Sequence, residues 1–176
     1  MKKIKLSIIV FAVIALTTAC FKVATTSEIP SIKFTSFEVF DTVNANTLNK
    51  HKAGRLKFRF EDGDGNFGVF DADRSDSTNL KLALYKKIDG EMRLITDDDP
   101  LLPGPDYTVP YLKTIGQSKV LRGEITVVIL YLFYHPNNQG DIIKYEFFIT
   151  DRAGNDSNIE ETAEIIVSEN GIYRKE

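Results

Sequence analysis

The chain has 176 residues, 43% of them hydrophobic, with 12 Phe, 7 Tyr and a single Cys. That length suits one domain, and the apolar share supplies a core and argues against a disordered chain. A formal charge of −3, without clustered Lys and Arg, speaks against a nucleic-acid surface, and one cysteine excludes an internal disulfide.

The first twenty residues carry the strongest pattern. Lys2, Lys3 and Lys5 precede an apolar run from Leu6 to Leu16, and Thr17, Thr18 and Ala19 then lead to Cys20. Basic, apolar and small-residue regions in that order predict a secretory signal peptide over 1–19. Eleven apolar residues are too few for a membrane span, which needs roughly 20. The segment resembles a lipoprotein signal with Ala19 at the cleaved bond and Cys20 as lipid acceptor. Leu16 lies four residues before the Cys rather than three, a relaxed box similar to those of Bacteroidetes lipoproteins. Loss of the leader leaves 19 basic residues against 25 acidic ones, a charge of −6. No acidic residue follows Cys20 in Phe21-Lys22-Val23-Ala24-Thr25-Thr26. By that resemblance the protein is an outer-membrane lipoprotein that faces the periplasm rather than the cell surface. Residues 20–30 read as a lipidated tether, its last ten residues reaching at most roughly 35 Å.

Strand signals follow from Ser31. Ile32, Phe34, Phe37 and Val39 predict a strand with a kink near Ser36. Leu56, Phe58 and Phe60 alternate with Lys57 and Arg59, and Leu80, Leu82 and Leu84 repeat that period. Asp89-Gly90 predicts a hairpin to a short strand around Met92–Ile95. Residues 96–118 hold four of the six prolines and read as a long connection, with one short strand near Tyr107–Leu112. Ile125–Tyr134 is an apolar strand, Ile142–Thr150 another, and Thr162–Val167 closes the domain. Such a series predicts an all-β, seven-stranded antiparallel sandwich over 31–168, followed by a tail over 169–176.

The stretch from Lys144 to Asn158, with an early Tyr145 and an Asp-Arg-Ala-Gly-Asn loop at 151–155, resembles the end of bacterial immunoglobulin-like and fibronectin type III-like domains. The loop from Phe60 to Gly68 resembles one in uncharacterised Bacteroidetes lipoproteins with the same ending. These resemblances imply the fold and are nearly silent on activity. They also suggest Tyr145 as a corner tyrosine bonded to nearby backbone, with a plain core aromatic as the equal alternative.

Asp62, Asp64 and Asn66 stand at positions 1, 3 and 5 of a calcium-type loop. Phe67 and Asp73 occupy positions that an EF-hand gives to Gly and Glu, so this is not an EF-hand. In an immunoglobulin-like topology the loops after residues 61 and 150 lie at one end. That end would gather Asp62, Asp64, Asn66, Asp71 and Asp73 with Asp151, Asn155, Asp156 and Asn158. The candidate calcium ligands are therefore Asp62, Asp64, Asn66, Asp151 and Asn155, although the pattern favours solvated acidic turns over a bound ion. His51 and His135 fall at the opposite pole, and two histidines make no closed site. Asp97-Asp98-Asp99 reads as a solvated loop. Asp41-Thr42-Val43 and Asp76-Ser77-Thr78 resemble the short O-glycosylation sequon of exported Bacteroidetes proteins, at Thr42 and Ser77.

No nucleophile–base constellation points to catalysis. The expectation is a membrane-anchored, non-enzymatic binding or structural module with an unidentified protein or glycan partner. The alternative is a surface-exposed lipoprotein that holds glycan or a host ligand through Tyr107, Tyr111, Tyr131 and Tyr134. One structural expectation completes the reading. Both faces of Ile125–Tyr134 are apolar, so residues 96–118 are expected to fold back over the outer row, the alternative being a partner surface.

Overall fold

A computed structural model of the chain describes residues 26–43, 48–70, 78–95, 107–112, 119–130, 132 and 141–176. Its ordered elements are all strands: β1 (Ser31–Val43), β2 (Lys50–Asp62), β3 (Leu80–Ile88), β4 (Glu91–Leu94), β5 (Leu121–Ile129), β6 (Ile142–Ile149), β7 (Glu160–Glu161), β8 (Ile165–Ile166) and β9 (Gly171–Tyr173). One sheet has the order β5-β2-β1-β9. The other runs β4-β3-β6-β7, with β8 also pairing β6. All these strand pairings are antiparallel.

Alternation explains why the sheets close on each other. β6 buries Ile143, Tyr145, Phe147 and Ile149 and leaves the residues between them half-buried. Leu56, Phe58 and Phe60 are likewise buried in β2, with Lys57 half-buried and Arg59 exposed between them. In β1 the kink expected near Ser36 is a bulge: Phe34 pairs with Phe58, but Ser36 already pairs with Lys57. The extra residue puts Phe37 on the same inner face as Phe34, which strict alternation would forbid. The aromatic rings then meet between the sheets. Phe37 stacks on Tyr145 at 5.7 Å, and Phe58 and Phe34 both lean on Phe147. The expected hairpin also forms, with φ of 53° at Asp89 and 87° at Gly90, the left-handed pair a two-residue turn demands.

The structure corrects several of these expectations. Among the described residues the strands number nine, not seven. The closing segment is split because Thr162 replaces ladder pairing with its own side chain: Oγ1 accepts the Tyr145 N–H, while its backbone N–H donates to the Tyr145 carbonyl. That interruption separates β7 from β8. Residues 171–173, read as tail, form β9 on the outer edge of β1, and the Tyr173 hydroxyl ties the preceding turn through the Ile166 and Glu169 carbonyls.

The Tyr107–Leu112 segment makes isolated bridges, Leu80 with Tyr107 and Val69 with Pro110, and no strand. It therefore packs beside β3 and the loop after β2; residues 96–106 and 113–118, the rest of the expected cover, lie outside the described residues. Val128 and Leu130 of the outer row are 40% and 57% exposed. Leu132, which strict alternation would put on the same face as Val128 and Leu130, turns inward instead. The chain bends after Ile129, Leu132 N–H donates to the Lys52 carbonyl, and its side chain is buried beside Gly54.

Candidate functional site at the acidic pole

β2 and β6 lie in opposite sheets and deliver their following loops to one end of the sandwich. Arg152 joins them, donating from Nη1 to the Phe67 and Gly68 carbonyls at 3.3 and 2.9 Å. Its guanidinium also lies over the rings of Phe70 and Tyr111, at 4.5 and 4.9 Å from their centroids. The start of the described chain reaches the same pole: Gly63 N–H donates to the Ser27 carbonyl, and Arg122 donates to Thr26 Oγ1 and to Glu61.

Asp62 continues the inward row of Leu56, Phe58 and Phe60, which is why a carboxylate at the end of β2 is fully buried. Its Oδ2 accepts the Phe67 N–H at 2.8 Å. Its Oδ1 is buried with no hydrogen-bond partner, and Asn66 Oδ1 is in the same state. Asp64 accepts from both the backbone N–H and the Nδ2 of Asn66, at 3.3 and 2.7 Å. This turns the amide nitrogen toward Asp64 and leaves the amide oxygen without a partner. Burial, followed by the neighbouring Asp64 and Asp151 carboxylates, holds the Asp62 carboxyl above its ordinary range, against the lowering effect of the Phe67 amide.

The second loop is closed on itself. Asp151 Oδ1 and Oδ2 accept from the Asn155 N–H and Nδ2 at 2.8 and 2.9 Å. Asp156 accepts from the Thr150 hydroxyl. Asn158 works as a clamp on β1, accepting the Ile32 N–H and donating to the Ile32 carbonyl. Of the five sequence-predicted ligands, then, Asp62, Asp64 and Asn66 share one loop with unengaged oxygens. Asp151 and Asn155 satisfy each other, although Asp151 adds its charge near Asp62. Among the described residues no group of three or more His, Cys, Asp or Glu stands at metal-binding spacing, so any ion here would rest on two carboxylates and an amide. Cys20, Asp71, Asp73, Ser77, Asp97, Asp98, Asp99, Tyr131, Tyr134 and His135 lie outside the described residues.

Arg152 was legible as a charge in the loop at 151–155, but its role was not. Nothing local signals that it would bond carbonyls 84 and 85 residues away. Elsewhere, Thr42 pairs with His51 at the far end of the β1–β2 hairpin. The Tyr111 ring lies tilted against Phe70, centroids 4.4 Å apart, and Tyr107 is half-buried. Both tyrosines are thus engaged by the fold. Tyr145 is a core aromatic, 1% exposed.

The fold defines an all-β, two-sheet sandwich with one loop pole rich in oxygen donors. No family model, curated protein or solved structure matches the chain. Among the described residues no helix is long and apolar enough to cross a membrane.

Proposed function

We propose that the chain is an exported lipoprotein, anchored through Cys20, whose sandwich is a non-enzymatic binding or structural module facing the periplasm at the outer membrane. The observation that carries this reading is the seating of the chain just after Cys20. Residues 26–30 already lie on the sandwich, with Ser27 bonded to Gly63 and Pro30 buried. Five residues separate Cys20 from Thr26, a reach of about 20 Å at full extension. A domain joined so tightly to a signal-like segment that ends in Cys suits a membrane-proximal module better than a ligand catcher on a long stalk.

The sandwich is of the immunoglobulin-like or fibronectin type III-like kind on this reading. Its strand order supports that. β1, β2 and β5 sit together as strands A, B and E would, and β3, β4, β6 and β7 correspond to C, C′, F and G. β9 is an addition on the edge of β1.

Cell fractionation tests the anchor. The wild-type chain should sediment with the membrane, and Cys20→Ala should leave it. Membrane retention of the variant would overturn the proposal.

A further inference from the structure

We propose that the Asp62–Asn66 loop binds a calcium-class cation, with Asp62 Oδ1, the Asp64 carboxylate and Asn66 Oδ1 as its protein ligands. The inference rests on two oxygens that the fold leaves unmatched. Asp62 is 0% exposed, yet only one of its carboxylate oxygens has a donor; Oδ1 has none. Asn66 Oδ1, also buried, has none either. An unmatched oxygen of this kind costs about 1–3 kcal/mol, and more when it carries charge. Two such oxygens stand in one loop with the Asp64 carboxylate, and the donors of that loop are already spent on Asp62 Oδ2 and on Asp64.

The chemistry of the donors selects the ion. Every ligand is oxygen, which suits a hard cation and disfavours zinc or copper. The loop wraps through Gly63 and Gly65, the latter at φ 69°, so its oxygens can settle at unequal distances, as calcium tolerates and magnesium does not. Three side-chain ligands leave much of the shell to water and backbone. The affinity should therefore sit in the range of extracellular calcium modules, about 10⁻⁴–10⁻³ M.

A bound cation would also act on the anchor side of the domain. Gly63 stands between two ligands, and its N–H holds the Ser27 carbonyl at 2.9 Å. Ordering the loop therefore orders the point where residues 26–30 join the sandwich. The cation site stands independently of lipidation, because none of its ligands depends on Cys20.

The test is calorimetry of the full-length protein in detergent, in chelator and then in calcium chloride, with magnesium chloride as control. Calcium at ten times its dissociation constant should raise Tm by about 3–6 °C for a chain of this size. Asp64→Ala and Asn66→Ala should fold normally in chelator and lose most of that rise, and magnesium should reproduce little of it. Asp62→Asn, which keeps the side-chain shape, should also lose the response. A wild type indifferent to calcium up to about 10 mM would overturn the site, since that exceeds the expected dissociation range tenfold. So would variants that keep the full rise. Should both alanine variants fail to fold, equilibrium dialysis of the wild type decides: one calcium per chain supports the site and none refutes it.

Discussion

Asp62 holds the Phe67 amide at 2.8 Å, five positions further along the chain, and this bond closes the pole of the sandwich. Phe67 itself is fully buried, its ring 5.3 Å from that of Phe60. The carboxylate thus fixes a core aromatic as well as a turn. Asp62→Ala should destabilise the calcium-free protein by about 1–3 kcal/mol, the cost of a buried N–H left without an acceptor. Asp62→Asn keeps the acceptor and removes a buried charge, so it should cost clearly less. Urea unfolding in chelator compares the two.

Gly54 lies under the Phe37 ring. A Cβ there would fall 2.3 and 2.7 Å from Phe37 ring carbons and 3.1 Å from Leu132 Cδ2. Gly54→Ala should therefore cost about 1–3 kcal/mol through overpacking. Phe37→Leu alone should also destabilise, because it removes a ring stacked on Tyr145. Together they should cost less than the sum, since the smaller side chain makes room for the methyl group. Additive losses in a denaturation cycle would contradict this packing.

Asn79 pins the segment 107–112. Its Nδ2 donates to the Val109 carbonyl at 3.1 Å, and its Oδ1 accepts the Val109 N–H at 2.7 Å. Asn79→Ala strands both backbone groups, at a cost of about 2–4 kcal/mol. It should also expose the chain around residues 107–112 to limited proteolysis at protease levels that leave the wild type intact.

Leu130 and Leu132 are two residues apart and predict opposite outcomes. Leu130→Asp should change stability by no more than about 0.5 kcal/mol, because that side chain is 57% exposed. Leu132→Ala should cost about 2–5 kcal/mol, because it empties a core position. A large loss from Leu130→Asp would instead mean that something covers the outer row of β5.

Alkaline pH should weaken the fold through Tyr145. Burial raises its phenol above the ordinary tyrosine value, with Tyr107 adding to the effect. The phenol ionises in the unfolded chain before it can in the folded one. The stability it contributes is complete below the unfolded pKa and is lost as pH rises past that value, near 10. Tyr107 and Tyr173 are raised in the same direction, also by burial first. Tyr145→Phe should therefore flatten part of the fall in urea midpoint between pH 9 and pH 11, about one pH unit either side of that value.

Much of the sandwich was legible because its strands are half-buried and alternate, as in Leu56–Phe60 and Ile142–Ile149. The kink at Ser36 and the turn at Asp89-Gly90 were legible for the same local reasons. What escaped was non-local. Thr162 interrupts the last strand through a hydroxyl bonded to Tyr145, and β9 exists because β1 has an open edge, with only three residues to announce it. The direction of Leu132 depends on a bend after Ile129, which no alternation rule encodes. At the pole, spacing marked Asp62, Asp64 and Asn66 as a group. The sequence could not distinguish Asp62, buried with one free oxygen, from Asp151, whose two oxygens are both engaged by Asn155.

Lipidation at Cys20 is read from the mass of the N-terminal peptide of the protein isolated out of its own membrane. The expected result is a mature chain that begins at Cys20 and carries acyl chains on that residue, with none of residues 1–19 attached. An unmodified Cys20, whether in a chain that keeps its first nineteen residues or in one cleaved elsewhere, would contradict it.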